Sequence, residues 1–100
     1  LVAAGATIVA GTDAGIAGTP FDGLPASLAS LVRFGGMPHA QALRAATSAA
    51  AAALGLGSEI GTLEPGKRAD FLAVDGNPLE DIRALASIRA VYRDGVAAAR

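Results

Sequence analysis

Gly11-Thr12-Asp13-Ala14-Gly15 (GTDAG) follows the apolar run AGATIVA at residues 4–10, and the fold turns on what that junction is. Thr7, Ile8 and Val9 carry branched side chains that pack well on a pleated surface. The run is continuously apolar rather than alternating, which predicts a strand over residues 6–10 covered on both faces, as in a parallel sheet. Residues 14–23, AGIAGTPFDG, then make a glycine-rich loop too long for a tight turn. A loop of that length at the carboxyl end of a parallel strand is commonly functional. On its own residues Asp13 is either a turn aspartate capping the backbone N–H groups that follow it, or a carboxylate aimed into an active site.

Downstream the spacing becomes helical. Leu28, Leu31 and Val32 fall at i, i+3 and i+4 and predict a helix from Leu24 that Gly35-Gly36 stops. A second helix is expected from near Pro38, where proline in the first turn loses no hydrogen bond, with Leu43, Ala46, Ala50 and Leu54 as its inner stripe. Gly55 and Gly57 are expected to end it by taking left-handed backbone angles. Beyond Ser58 the pattern is that of short strands. Residues 60–63 and 69–74 are expected to pair as a hairpin through Glu64-Pro65-Gly66-Lys67, whose Pro-Gly suits a type II turn. Asp75-Gly76-Asn77-Pro78 makes another turn, residues 79–86 a short helix or loop, and residues 88–93 a half-buried strand before Asp94-Gly95.

Eight Lys plus Arg against nine Asp plus Glu leave a net charge of −1, with no basic run, so nucleic acid and anionic membrane surfaces are poor partners. The absence of cysteine excludes disulfides, thiolate nucleophiles and thiolate metal sites. Hydrophobic residues make up 52%, much of it alanine, and no apolar stretch approaches the roughly 20 residues of a spanning helix. Leu1 enters directly into a core-like run, so the expectation is a piece of a larger chain. The cytoplasm is the expected location, with secretion or the periplasm left open.

Four stretches taken in series, AGATIVAGTDAG, GGMPHAQALRAATSAAAAALGL, IGTLEPGKRADFLAVDGNPLEDI and VYRDGV, resemble the carboxyl-terminal part of the amidohydrolase superfamily. The likeness is to the imidazolonepropionase-like and Xaa-Pro dipeptidase-like metal-dependent hydrolases, and it covers nearly the whole chain. It implies an α/β fold: residues 1–57 as the end of a (β/α)8 barrel, its last strand and following helices, and residues 58–100 as strands of a small β-sandwich domain. Barrel sites lie at the carboxyl ends of the strands, which is where Asp13 falls.

The resemblance also implies chemistry. Water activated by a divalent metal, zinc by preference and one or two ions in the parent, attacks an amide or lactam carbonyl, its pKa lowered from ~16 towards ~7. Asp13 is implied to be both metal ligand and catalytic proton shuttle, accepting the proton of the water and returning it to the leaving nitrogen. A catalytic zinc takes about three protein ligands, and relatives draw theirs from histidines and a lysine or glutamate elsewhere in the barrel. This chain has one histidine, His39, at the start of the second helix, read as a surface or first-turn residue. The segment alone is therefore not expected to hold the metal. Thr12 and Phe21 are weaker candidates for lining a substrate pocket, the glycines around them serving backbone freedom.

Lys67 and Asp70 are expected to make a salt bridge or turn hydrogen bond, Asp75 and Asp81 to be turn and helix-start residues, and Arg33 and Arg44 to be solvated. Two departures from the family stand out. Ser27-Leu28 replaces an acidic residue before leucine, and Pro38-His39 replaces Thr-Pro or Ser-Pro, removing a side-chain cap worth about 1 kcal/mol. The functional expectation is a segment of a hydrolase cleaving amide or other C–N bonds in a small-molecule or peptide substrate, its partners being the remainder of the parent barrel and a possible second copy. Two alternatives stay open: a non-catalytic packing module, and a barrel with degenerate ligands used for binding only.

Overall fold

A computed structural model of the chain describes residues 5–12 and 23–98. Asp13, Phe21 and most of the glycine-rich loop lie outside them. The described order is α1 (Leu24–Arg33), α2 (His39–Ala46), α3 (Ser48–Ala53), β1 (Phe71–Val74), a 3₁₀ helix (Ile82–Ala86), β2 (Ile88–Arg93) and β3 (Val96–Ala97). No helix among the described residues is long and apolar enough to cross a membrane.

α1 forms where the leucine spacing predicted it. Leu28 is buried, Leu31 and Val32 are half-buried, and Arg33 faces solvent with its guanidinium 5.1 Å from the Phe34 ring centre. At its end Phe34 N–H donates to Ser30 O, and Met37 N–H donates back to Leu31 O, which carries Met37 into the core. α2 starts at His39 after Pro38 with no side-chain cap, as the Pro38-His39 replacement implied.

The single long helix expected from Pro38 to Leu54 is two helices. Thr47 breaks it, at φ −126° and ψ −94°. Its hydroxyl donates to Leu43 O at 2.7 Å, and its N–H donates to Arg44 O three residues back. A threonine hydroxyl that binds a carbonyl four residues back competes with the helix ladder and bends it. The expected inner stripe holds only in part. The residues sealed in the core are Ala42 and Ala45, at 0% and 1% exposure, and Ala51 is buried in α3, while Leu54 is 72% exposed. Alanine lets a helix approach its neighbours closely, so the small face turns inward. Of the expected stripe, Leu43 and Ala46 pack against the core, and all four of Leu43, Ala46, Ala50 and Leu54 border an open groove beside the sheet. Of the two glycines expected in left-handed conformation, Gly55 has φ +74° and Gly57 is not positive.

The hairpin expected between 60–63 and 69–74 does not form. β1 pairs antiparallel with β2, Phe71 opposite Tyr92 and Leu72 opposite Val91, with an irregularity between Ala73 and Val74. The rings of Phe71 and Tyr92 stack, centres 4.5 Å apart. Such aromatic cross-strand pairs stabilise a register, and residues 60–63 offer no equivalent. The expected turn is present, with Lys67 N–H donating to Glu64 O and Gly66 at φ +89°. β3 pairs with β2 through a two-residue turn in which Asp94 and Gly95 both have positive φ, +52° and +77°, the geometry that matches strand twist in tight hairpins.

Residues 6–10 form no ladder among the described residues. A strand exists by pairing, and here the segment's tie is Ala10 N–H to Ala45 O at 2.9 Å, a carbonyl of the last turn of α2. Ile8 and Ala10 pack on the cluster of Leu28, Met37, Ala42, Ala45, Ile82 and Leu85. The core thus joins the segment leading to Asp13, the first two helices and the 3₁₀ helix.

Candidate functional site

The approach to Asp13 is fixed by apolar burial and one backbone hydrogen bond. Ile8 and Ala10 lie against the helices, Gly11 is exposed, and Thr12 is half-buried where the described segment ends. Of the candidate site residues, Thr12 alone falls among those described; Asp13 and Phe21 lie outside them.

His39 is the first residue of α2, the first-turn position expected, and it is half-buried. Its Nδ1 accepts the backbone N–H of Ile82 at 3.0 Å, across 43 residues of sequence. The ring therefore fixes the start of α2 to the start of the 3₁₀ helix, and the Nδ1 lone pair is committed. Sequence spacing carries no signal for this bond, because the partner is a backbone group brought close only by the fold.

The other polar residues are tied into turns. Lys67 Nζ donates to Thr62 Oγ1 at 2.7 Å and lies 3.3 Å from Glu64 Oε2. Asp70 Oδ1 accepts the N–H of Asp94, and Asp75 pairs with Arg89. Asp81 caps the 3₁₀ helix by accepting Arg83 N–H at 3.0 Å, and the Arg83 guanidinium folds back onto both carboxylate oxygens. The side-chain hydrogen bonds from Arg83, then its backbone N–H, hold the Asp81 carboxyl down at about 2. Arg44 is exposed, as expected.

No three His, Asp or Glu side chains among the described residues gather where they could hold a metal ion. His39 is committed to Ile82, and the acidic groups above are committed to turns and ion pairs. The described residues thus do not fit a metal centre of their own. Asp13 is a donor of the right type, but a single carboxylate is not a site.

An apolar groove of about 740 Å³ lies between the helices and the sheet, its walls including Leu43, Ala50, Leu54, Leu63, Phe71 and Tyr92. Thr47, Thr62, Asp70 and Tyr92 are its polar members, and Thr62 and Asp70 already have partners in turns. The groove is apolar surface suited to packing, with no cluster for proton transfer.

The amidohydrolase family model matches residues 1–98. An imidazolonepropionase from Deinococcus deserti is 42% identical over 82 residues, which are 82% of this chain and 20% of that protein. An ochratoxinase from Aspergillus niger is 36% identical over 91 residues, 90% of this chain and 18% of that protein. Among solved structures, a candidate prolidase from Bifidobacterium longum superposes with a TM-score of 0.93 at 40% identity, over 99% of this chain and 24% of that one. A Xaa-Pro dipeptidase with methionine bound in its active site gives 0.80 at 36% identity, over 93% and 22%. The chain spans about a fifth of the length of the curated relatives it matches. With a family match along nearly all its residues and α/β neighbours of the same topology, the chain belongs to the amidohydrolase family.

Proposed function

We propose that this chain is the carboxyl-terminal segment of an enzyme that hydrolyses an amide or other C–N bond in a small-molecule or peptide-like substrate. The observation that carries this reading is the family match over residues 1–98, supported by relatives named imidazolonepropionase and Xaa-Pro dipeptidase. In this reading residues 1–57 complete a hydrolase barrel and residues 58–100 belong to a smaller β-domain.

Asp13 is the residue assigned to the chemistry. Its carboxylate accepts a proton from the water that attacks the carbonyl, and returns it to the departing nitrogen, whose protonation makes it a viable leaving group. A divalent metal, zinc by family resemblance, supplies a more acidic water and charge stabilisation when bound. Asp13 is the one ligand this segment contributes. Thr12, next to it and half-buried, and Phe21 in the loop are assigned to the pocket rim.

The test is hydrolysis of a panel of N-acyl amino acids, Xaa-Pro dipeptides and cyclic amides by the whole protein and by its Asp13→Asn variant. Asparagine keeps the size and removes the proton acceptor, so kcat is expected to fall by about 10²–10⁴ with circular dichroism unchanged. A folded variant within threefold of the native rate on a cleaved substrate would remove Asp13 from the reaction.

A further inference from the structure

We propose that His39 is a pH-operated latch between α2 and the 3₁₀ helix, accepting the Ile82 N–H while neutral and releasing it when protonated. The Nδ1 to Ile82 distance is 3.0 Å, and the bond is partly buried. Ile82 is the first residue of the 3₁₀ helix, one of the donors that such an element leaves without an internal partner. Asp81 satisfies the donor of Arg83, and His39 satisfies that of Ile82. The two caps come from opposite sides of the contact, one local and one from α2.

A neutral imidazole accepts at one nitrogen and donates at the other, whereas an imidazolium donates at both. Protonation at Nδ1 sets one N–H against another, so the bond to Ile82 exists on the alkaline side and is lost as pH falls. Histidine is the side chain whose charge ordinarily changes between about pH 5 and 8. The charged groups lining the same cleft are Arg33 from α1 and Glu80, Asp81 and Arg83 from the segment around the 3₁₀ helix. The first turn of α2 beyond the ring, Ala40-Gln41-Ala42, adds none. Two acids and two cations therefore line the cleft that holds the ring. Asp81 is the acid next to Ile82, and both of its oxygens are already engaged by the Arg83 backbone N–H and guanidinium, so a protonated ring finds no free acceptor there. Ile82 belongs to the core cluster with Leu28, Met37 and Leu85, so its release loosens the contact between the helices and the element that leads into β2.

The test is hydrogen–deuterium exchange of the peptide covering residues 79–86 in the whole protein, corrected for intrinsic exchange, between about pH 5 and about pH 8. Protection of the Ile82 amide is expected to fall about threefold to tenfold towards the acid end in the native protein. His39→Asn places an oxygen acceptor where Nδ1 stands and does not titrate, so its profile is expected to stay level and protected. His39→Ala is expected to be weakly protected throughout. A level native profile, or the same slope in the native protein and His39→Asn, would overturn the latch. This readout is independent of catalysis, so failure of the assignment of Asp13 leaves it standing.

Discussion

The backbone N–H of Asp94 donates to Asp70 Oδ1 at 2.8 Å, joining residues 24 apart in sequence. Beside it, Gly95 N–H donates to Ala69 O at 2.9 Å. Together these bonds hold the β2–β3 turn against the chain entering β1, and they give the Ala69-Asp70 pair a structural role.

We predict that Asp70→Ala destabilises the protein by about 1 kcal/mol, the net worth of one hydrogen bond at an exposed site. Asp70→Asn keeps an acceptor and is expected to lose less. Urea unfolding of the two variants checks this, and equal losses would show that the oxygen at Asp70 is not what matters.

Asp81 gives a pH prediction. Its carboxyl is held below the ordinary value, from 3.8 to about 2, first by side-chain hydrogen bonds from Arg83 and then by the Arg83 backbone N–H. A depressed carboxyl stabilises the fold above its unfolded value, so the contribution is complete above about pH 4 and is lost as pH falls towards about 2. In Arg83→Ala the Asp81 carboxyl is expected to titrate nearer 3.8, as read by carboxyl-carbon NMR. An unchanged midpoint would contradict the pairing.

Among the described residues, Gly61 combines a left-handed backbone with a close approach that a side chain would meet. Its φ is +99°, and a Cβ there would stand 2.7 Å from Ala51 Cβ and 3.2 Å from Thr47 O. Gly61→Ala therefore carries both backbone strain and a clash and is expected to cost about 2–4 kcal/mol. Gly66, at φ +89° with nothing within 4 Å, supplies the comparison, and Gly66→Ala is expected to cost about 1 kcal/mol. Thermal melts order the two variants, and the reverse order would contradict the packing of residues 60–62 beneath α3.

The apolar groove predicts the behaviour of the 100-residue chain on its own. Leu54 and Leu63, at 72% and 68% exposure, border it, with Leu72 of the sheet beside them. Surface of this kind drives association or loosening of the fold. Light scattering is expected to show oligomers or an expanded chain, and a monodisperse monomer with a cooperative melt would contradict this.

The sequence made some of these features legible and hid others, for physical reasons. α1 was readable because Leu28, Leu31 and Val32 mark one helical face, and the Glu64–Lys67 turn because Pro65-Gly66 has few alternatives. The family was readable because the motifs lie in order along the chain. The break at Thr47 was not, since a hydroxyl turning onto Leu43 O depends on local competition that an alanine-rich pattern conceals. The partner of β1 was missed because the nearer apolar run, residues 60–63, is adjacent in sequence while Tyr92 is adjacent in space. The bond from His39 to Ile82 joins a side chain to a backbone donor and leaves no trace in either residue's neighbours. For the site itself, the sequence pointed to Asp13 through the end of an apolar run and a family motif, and the residue lies outside those described.

Zinc content, measured by plasma mass spectrometry after dialysis against trace metal, tests the central claim most directly. The samples are the whole protein, its Asp13→Ala variant, and the 100-residue chain. The prediction is stoichiometric metal in the whole protein, a reduced content in the variant, and none in the isolated chain, as follows if Asp13 is one metal ligand and the others are supplied elsewhere. Stoichiometric zinc in the 100-residue chain, or a whole protein whose metal is indifferent to Asp13→Ala, would contradict it.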